Sequence, residues 1–89
     1  MQVRYQVAFT KSAQKEFARL PLSMRERILE AVTILAQNPF TELLQIKKLK
    51  GADDLYRIRL GNYRVVYEIR KTILLIVVIK IGHRKEVYR

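Results

Sequence analysis

Hydrophobic and polar residues alternate from residue 3 to residue 9, and this period of two predicts a first β-strand. Beyond it, apolar residues recur every three or four positions, as on one face of an amphipathic helix. The Thr10 hydroxyl is suited to cap this helix, which we expect to extend to about Leu20 and to stop at Pro21. The pattern therefore predicts a strand followed by a short helix.

A second helix is predicted directly after the first. Ser23 and Glu26 have the spacing of a capping box, in which a hydroxyl and a carboxylate satisfy backbone amides at a helix start. The Asn38-Pro39 pair marks the end of this helix. Four residues at helical spacing form its apolar face and are candidate core residues: Ile28, Val32, Leu35 and Ala36.

The segment LYRIRLGNYRVVY, residues 55–67, predicts a β-hairpin. Its two alternating halves flank Gly61-Asn62, and glycine in the first central position suits a two-residue hairpin turn. A two-residue loop fixes the register of the strands, so one face of the hairpin is apolar throughout. The facing pairs on that side are Leu60–Tyr63, Ile58–Val65 and Tyr56–Tyr67.

The other face of the hairpin carries three arginines. The same register places Arg59 directly opposite Arg64, with Arg57 one pair further along. Like charges that face each other destabilise a sheet, so this arrangement needs a functional explanation. We call these three residues the arginine face.

The last apolar segment, residues 72–81, predicts a strand. It is apolar on both faces, which is typical of a strand inside a sheet that is covered on both sides for part of its length. Residues 40–54 are less regular, and their pattern is compatible with a short strand or a loop. Residues 82–89 form a polar tail.

The order strand, two helices and three strands predicts an α+β fold in a single domain of residues 1–89. We expect the N-terminal strand and the two-helix hairpin to pack on one face of a small, mainly antiparallel sheet. The helices would then bury the apolar face of the β-hairpin, and the arginine face would be open to solvent.

The charge balance points to a polyanionic partner. Lys and Arg number 18 against 8 Asp and Glu, a formal net charge of +10. A charge of this size on so short a chain favours nucleic acid above an acidic protein or a membrane surface.

The sequence also indicates a cellular compartment. No signal-peptide core is visible at the N-terminus, and the longest apolar run, residues 73–79, is far too short to cross a bilayer. Cysteine is absent, which removes disulfides and fits a reducing compartment. We therefore expect a cytoplasmic protein without a membrane partner.

The arginine face predicts a phosphate site, because the guanidinium group offers a planar fork of donors that matches phosphate. Arg84 can join it from the tail, where His83 and Tyr88 lie close by in sequence. Arg, His and Tyr around a phosphate are the parts of a metal-free ribonuclease, which needs a base, an acid and stabilising cations.

The residue inventory argues against a metal or a small-molecule cofactor. The chain has one histidine, no cysteine and no HExxH motif, so metal ligands are scarce. Its three glycines are spread along the chain and form no phosphate-cradling loop. We expect neither a metal nor a cofactor.

Simpler roles remain open for several of these residues. The arginine face could form weak surface ion pairs with Glu68 or Glu86, although one or two acids cannot neutralise three or four arginines. A basic run upstream of the hairpin could bind RNA phosphates without specificity or merely solvate the surface. It comprises Lys47, Lys48 and Lys50.

The string YRIRLGNYRVVYEI, followed by an apolar strand and IGHRKEVYR, resembles the RelE/ParE superfamily of toxins from bacterial and archaeal toxin–antitoxin pairs. The similarity extends over essentially the whole chain, including the LKG before the hairpin. It implies a small α+β toxin with a microbial-RNase-like fold. By motif, the active positions of RelE fall on Arg57, Arg59, Arg64, Arg84 and Tyr88.

The resemblance also implies an activity and partners. RelE-type members enter the ribosomal A site and cut mRNA through attack of a 2′-hydroxyl, which leaves a cyclic phosphate. An antitoxin wraps around the toxin and holds it inactive. The expected partners are therefore a cognate antitoxin, the ribosome and mRNA.

Two departures from the family pattern leave the general base open. The best-known RelE has lysines at the positions of Arg57 and Arg59, and arginine effectively cannot give up its proton to become a base. The spacing from Arg84 to Tyr88 is also shorter than in that relative. The base is therefore Tyr88 or His83, although His83 could equally be a solvated turn residue.

Two other functions are compatible with the family. A ParE-like member would inhibit DNA gyrase without nuclease activity, and a non-catalytic module would bind the ribosome or RNA without cutting. The cluster of Arg, His and Tyr favours the nuclease.

Overall fold

The structure is a computed structural model that describes residues 4–51 and 54–83. Two helices and a five-stranded sheet make up the fold. In chain order the elements are β1 (Gln6–Phe9), α1 (Lys11–Ala18), α2 (Leu22–Gln37), β2 (Ile46–Lys48), β3 (Leu55–Leu60), β4 (Tyr63–Arg70) and β5 (Leu75–His83). A 3₁₀ turn at Lys71–Ile73 connects β4 to β5.

The sheet has the strand order β1-β5-β4-β3-β2. Its neighbours pair antiparallel except β1 and β5, which run parallel. Both helices contribute to the core beneath one face of the sheet, where Ala13, Ile28 and Leu35 are buried. The predicted α+β layer is confirmed, with a mainly antiparallel sheet.

The first helix begins as the sequence predicts. The Thr10 hydroxyl accepts a hydrogen bond from the Ala13 amide at 3.1 Å, which makes Thr10 the N-cap. The same hydroxyl donates to the Ile79 carbonyl at 3.2 Å and ties the helix start to β5. The helix proper ends at Ala18, and Arg19 and Leu20 continue it as a turn.

The start of the second helix corrects a prediction. Ser23 and Glu26 do not form a capping box, because the helix begins at Leu22 and Ser23 lies inside its first turn. Pro21 is the N-cap instead, and its carbonyl accepts the amides of Met24 and Arg25, each at 3.0 Å. Proline has no side-chain acceptor, so this helix begins without a side-chain cap. The predicted apolar face is buried and the predicted end at Asn38 is confirmed.

The hairpin has the predicted register in every pair. Gly61, the first central residue of the turn, has φ +59°. Asn62, the second, does not have a positive φ, since Leu74 is the only non-glycine residue with one in residues 4–51 and 54–83. The turn therefore has a positive φ at its first central residue alone, as in a type II′ hairpin turn. Glycine at position 61 is what allows this turn without steric strain.

Two strand boundaries differ from the alternation in sequence. The first strand begins at Gln6 rather than at residue 3, which lies outside the described residues. The last begins at Leu75, because Thr72 and Ile73 belong to the 3₁₀ turn and Leu74 takes a left-handed conformation. At its other end this strand extends to His83, beyond the predicted end at residue 81.

Residues 40–54 contain a short strand, β2, which pairs with β3 at the edge of the sheet. The sequence pattern was compatible with a strand or a loop, and the pairing decides for a strand. No helix in the described part of the chain is long and apolar enough to cross a membrane.

Candidate nucleic-acid interface

The arginine face lies on the side of the sheet away from the helices. Ile58, Leu60 and Val65 are buried in the core, so the alternating residues between them point the other way. Arg59 is exposed and lies directly opposite Arg64, as predicted. The three arginine side chains therefore lie on the same face of the sheet, with Arg59 exposed and Arg57 and Arg64 half-buried.

The basic run upstream of the hairpin divides between the two faces. Lys47 is paired with Arg57 across β2 and β3 and so extends the arginine face towards the sheet edge. Lys48 is paired with Tyr56 and lies on the helix side. Lys50 lies in the turn after β2 and is exposed. Of the three lysines in this run, only Lys47 lies beside the arginines.

A further cation on the open side was missed by sequence reasoning. Lys80 is paired with Val66, whose other neighbour is Arg57, so all three share a face. Its ammonium group lies 3.3 Å from a carboxylate oxygen of Glu16 on α1. The other Glu16 oxygen accepts the Ile81 amide at 2.8 Å. In sequence Lys80 looks like an interruption of an apolar strand, and only the register reveals its neighbours.

Glu68, one of the two acids that the sequence offers as an ion-pair partner for the arginine face, has an ion pair with Arg70. Its carboxylate is bound by Arg70 at 2.6 Å, at the end of β4 far from the hairpin turn. The other candidate, Glu86, lies outside the described residues. The cross-strand pairing of Arg59 with Arg64 places two like charges next to each other near the turn, where an anionic ligand would reduce their repulsion.

The structure places His83 away from the arginine face. His83 is paired with Tyr63 across β4 and β5, and Tyr63 lies on the helix side of the sheet. The two rings meet edge to face, with centroids 5.5 Å apart. Its neighbour Gly82 is paired with Arg64 and lies on the open side. The two strands thus hold adjacent residues, Gly82 and His83, on opposite faces.

The other two predicted site residues, Arg84 and Tyr88, lie outside the described residues. Arg84 directly follows His83, the last residue of β5. Their roles stay predictions.

Tyr67 is part of the core rather than of the site. Its side chain is fully buried and stacks on Tyr56 with a centroid distance of 6.0 Å. Burial, together with the neighbouring Tyr56, raises the pKa of the Tyr67 phenol. Such a shift keeps the hydroxyl protonated, so Tyr67 is not available as a base.

The described residues offer no metal centre. No group of three or more His, Asp or Glu side chains that could hold an ion occurs within residues 4–51 and 54–83. The charges that these residues bring together on the open face are those of arginine and lysine. Such groups can bind phosphate and stabilise negative charge as it develops there.

Comparison with known proteins gives a consistent result. Residues 7–88 match the family described as the ParE toxin of type II toxin-antitoxin system, parDE. Toxin RelE3 of Methanocaldococcus jannaschii is 37% identical over 84 residues, covering 92% of this chain and 93% of that toxin. The mRNA interferase toxin RelE of Escherichia coli K12 is 31% identical over 88 residues, covering 94% of this chain and 90% of the relative.

The backbone comparison agrees with the sequence. The crystal structure of the archaeal RelE–RelB complex from Pyrococcus horikoshii OT3 contains a chain that is 34% identical and superposes with a TM-score of 0.82. The match covers 94% of this chain and 99% of that chain. Sequence and backbone thus resemble the same group of proteins over nearly their full length.

Proposed function

The chain belongs to the RelE/ParE superfamily of toxins from type II toxin–antitoxin systems, as its motifs predicted, and on that premise we propose that it is an mRNA interferase. It would cleave mRNA in the ribosomal A site and so inhibit translation. One observation carries the proposal: Arg57, Arg59 and Arg64 share one open face of the sheet, with Lys47 beside them.

The chemistry that suits this face is transesterification within the RNA. The 2′-oxygen attacks the adjacent phosphorus, the bond to the 5′-oxygen breaks, and a cyclic phosphate and a 5′-hydroxyl result. Negative charge accumulates on the phosphoryl oxygens during this step, and cationic donors fixed in advance lower its energy. Arg59, Arg64 and Arg84 would hold the scissile phosphate, and Arg57 and Lys47 would support them.

The proton transfers need groups other than arginine, which effectively cannot act as a base in proteins. Two candidates followed from the sequence, Tyr88 and His83. His83 is paired with Tyr63 on the helix side, so it does not face the phosphate-binding arginines. This placement favours Tyr88 as the base.

We propose a cognate antitoxin as the partner that restrains the toxin. The P. horikoshii relative is in complex with RelB. A net charge of +10 would bind RNA and ribosomes without selectivity, and an acidic or amphipathic partner would suppress that binding. Action on translating ribosomes would place the protein in the cytoplasm.

The experiment that tests the function is primer extension on mRNA from a reconstituted translation system, with and without ribosomes. Cuts within A-site codons that appear only when ribosomes are present are the expected result. Intact mRNA with blocked DNA supercoiling would instead indicate a gyrase inhibitor. Intact mRNA with stalled translation would indicate a ribosome-binding module that does not cut.

A further inference from the structure

A cleft opens beside the end of β5, where α1 ends. Its volume is about 280 Å³, slightly below the usual range for ligand pockets. The residues of its wall that bear on the argument are Glu16, Arg19, Tyr63, Gly82 and His83.

Gly82 links this cleft to the arginine face. It lines the cleft and is also the cross-strand neighbour of Arg64. Glycine has no side chain, so nothing projects from position 82 between the two sites. An RNA strand with one phosphate at Arg64 would have to cross β5 at this position to place an adjoining nucleotide in the cleft, because Arg64 and His83 lie on opposite faces of the sheet.

The cleft contains an aromatic pair at the protein surface. The His83 ring packs edge to face against Tyr63, with His83 exposed and Tyr63 half-buried. Aromatic side chains accept unpaired nucleobases by stacking, whatever the base. This pair gives the cleft a surface for a base.

The wall of the cleft also carries a cationic side chain, Arg19. Arg19 lies three residues after Glu16, the spacing at which a helical ion pair forms. The Glu16 carboxylate is engaged by Lys80 and by the Ile81 amide. Arg19 is exposed and has no ion pair among residues 4–51 and 54–83. Its guanidinium is therefore available for a phosphate.

We propose that this cleft is a second nucleotide-binding subsite, which holds the mRNA nucleotide next to the scissile phosphate. The base packs against His83 and Tyr63, and the flanking phosphate binds Arg19. The proposal rests on the nuclease function above and adds a positioning role that the arginine face does not supply.

The first test compares Arg19→Gln with Lys15→Gln in cleavage of ribosome-bound mRNA. Each change removes one positive charge, from α1 in Lys15→Gln and from the turn that follows it in Arg19→Gln, and both residues are exposed, but Lys15 does not line the cleft. Loss of one charged phosphate contact should raise KM by about tenfold in Arg19→Gln and leave kcat nearly unchanged. Lys15→Gln should change KM by less than about twofold, since only long-range attraction is lost.

A second measurement does not depend on cleavage. The mRNA carries a 2′-deoxy sugar at the attacked position, which prevents the reaction, and the Kd is compared with and without the base of the neighbouring nucleotide. Removing that base should weaken binding to the wild-type toxin by about tenfold. In His83→Ala, whose exposed site tolerates truncation, the same removal should have almost no effect.

The outcomes separate the subsite from the nuclease. Equal KM values for Arg19→Gln and Lys15→Gln, or an undiminished base effect in His83→Ala, would overturn the subsite even if the wild type cuts mRNA. Loss of antitoxin affinity alone in Arg19→Gln would overturn it too and assign the cleft to that partner. If the wild type does not cut but the base effect depends on His83, the subsite stands and the nuclease falls.

Discussion

The two faces of the β3–β4 hairpin share one backbone and one register, yet they meet opposite physical demands. On the helix side, Ile58 faces Val65 and both are fully buried. On the open side, Arg59 faces Arg64, and the two charges repel. One face thus supplies stability through burial, and the other accepts a local loss of stability in order to present cations. Ile58 and Arg59, adjacent in sequence, make the contrast testable.

The largest expected effect comes from truncation on the buried face. Ile58→Ala should lower the free energy of unfolding by about 2–5 kcal/mol, because it leaves a cavity among fully buried side chains. Urea denaturation followed by circular dichroism measures this loss. A loss below about 1 kcal/mol, the lower range for small core changes, would show that this face is not the main source of stability.

The neighbouring arginine should behave in the opposite way. Arg59→Gln should reduce mRNA cleavage by about 100-fold, because a cation that stabilises the reacting phosphate is lost. Its stability should stay constant or rise by up to about 1 kcal/mol, since a like-charge pair disappears. Single-turnover cleavage and urea denaturation measure the two quantities.

Arg70→Gln is the matched control for Arg59→Gln. Arg70 is exposed on the same sheet but lies at the far end of β4, in an ion pair with Glu68. It should retain full cleavage and lose at most about 1 kcal/mol of stability. Equal loss of cleavage in both variants would mean that net charge, and not the arginine face, drives activity.

On the buried face, one polar group lacks the hydrogen bond that buried polar groups usually make. The Tyr67 hydroxyl is buried and has no hydrogen-bond partner in residues 4–51 and 54–83. Tyr67→Phe should therefore raise the free energy of unfolding by about 1 kcal/mol, since the unpaired hydroxyl is removed and the ring is kept. Thermal unfolding at neutral pH measures the gain, and a lower melting temperature would contradict the argument.

The same residue predicts a pH dependence. The pKa of Tyr67 is raised in the folded state, so the unfolded chain releases this proton first as the pH rises. The stability that depends on a protonated Tyr67 is fully present below the pKa of tyrosine in the unfolded chain, which is about 10, and is lost as the pH rises above that value. The fall in stability above that pH should be shallower in Tyr67→Phe than in the wild type. Parallel curves for the two proteins would rule out this titration.

The smallest expected effect is a change in the salt dependence of RNA binding, which compares two lysines on opposite faces of the edge strand β2. Lys47→Gln should reduce the slope of log K against log salt for single-stranded RNA by about 0.7, the value for one phosphate contact. Lys48→Gln removes the same charge from the next residue, which lies on the other face. Its slope should change less, and identical slopes would show that both lysines act only through net charge.

Local sequence determined much of this protein. The turn at Gly61 sets the hairpin register by itself, because a two-residue loop leaves no freedom to slip. The Thr10 cap and the buried face of α2 likewise follow from short-range spacing. The arginine face and the family motifs could therefore be read without a structure. The capping box at Ser23 failed because Pro21, two residues earlier, already starts the helix.

Only the tertiary structure decided which residues from distant segments join the site. Lys47 joins the arginine face through pairing across β2–β3. Lys80 takes a position on the same face through pairing across β4–β5, although its ammonium group is bound by Glu16 of α1. The register shifts between Val66 and Tyr67, which leaves Ile79 as an extra residue in β5. Without the extra residue, alternation from the buried Val78 would place Lys80 on the helix side of the sheet and His83 on the side of the arginines. The extra residue forms a β-bulge, which exchanges the faces of Lys80 and His83. A single extra residue inverts every later side chain, and the long-range packing that places it leaves no local signal in the sequence.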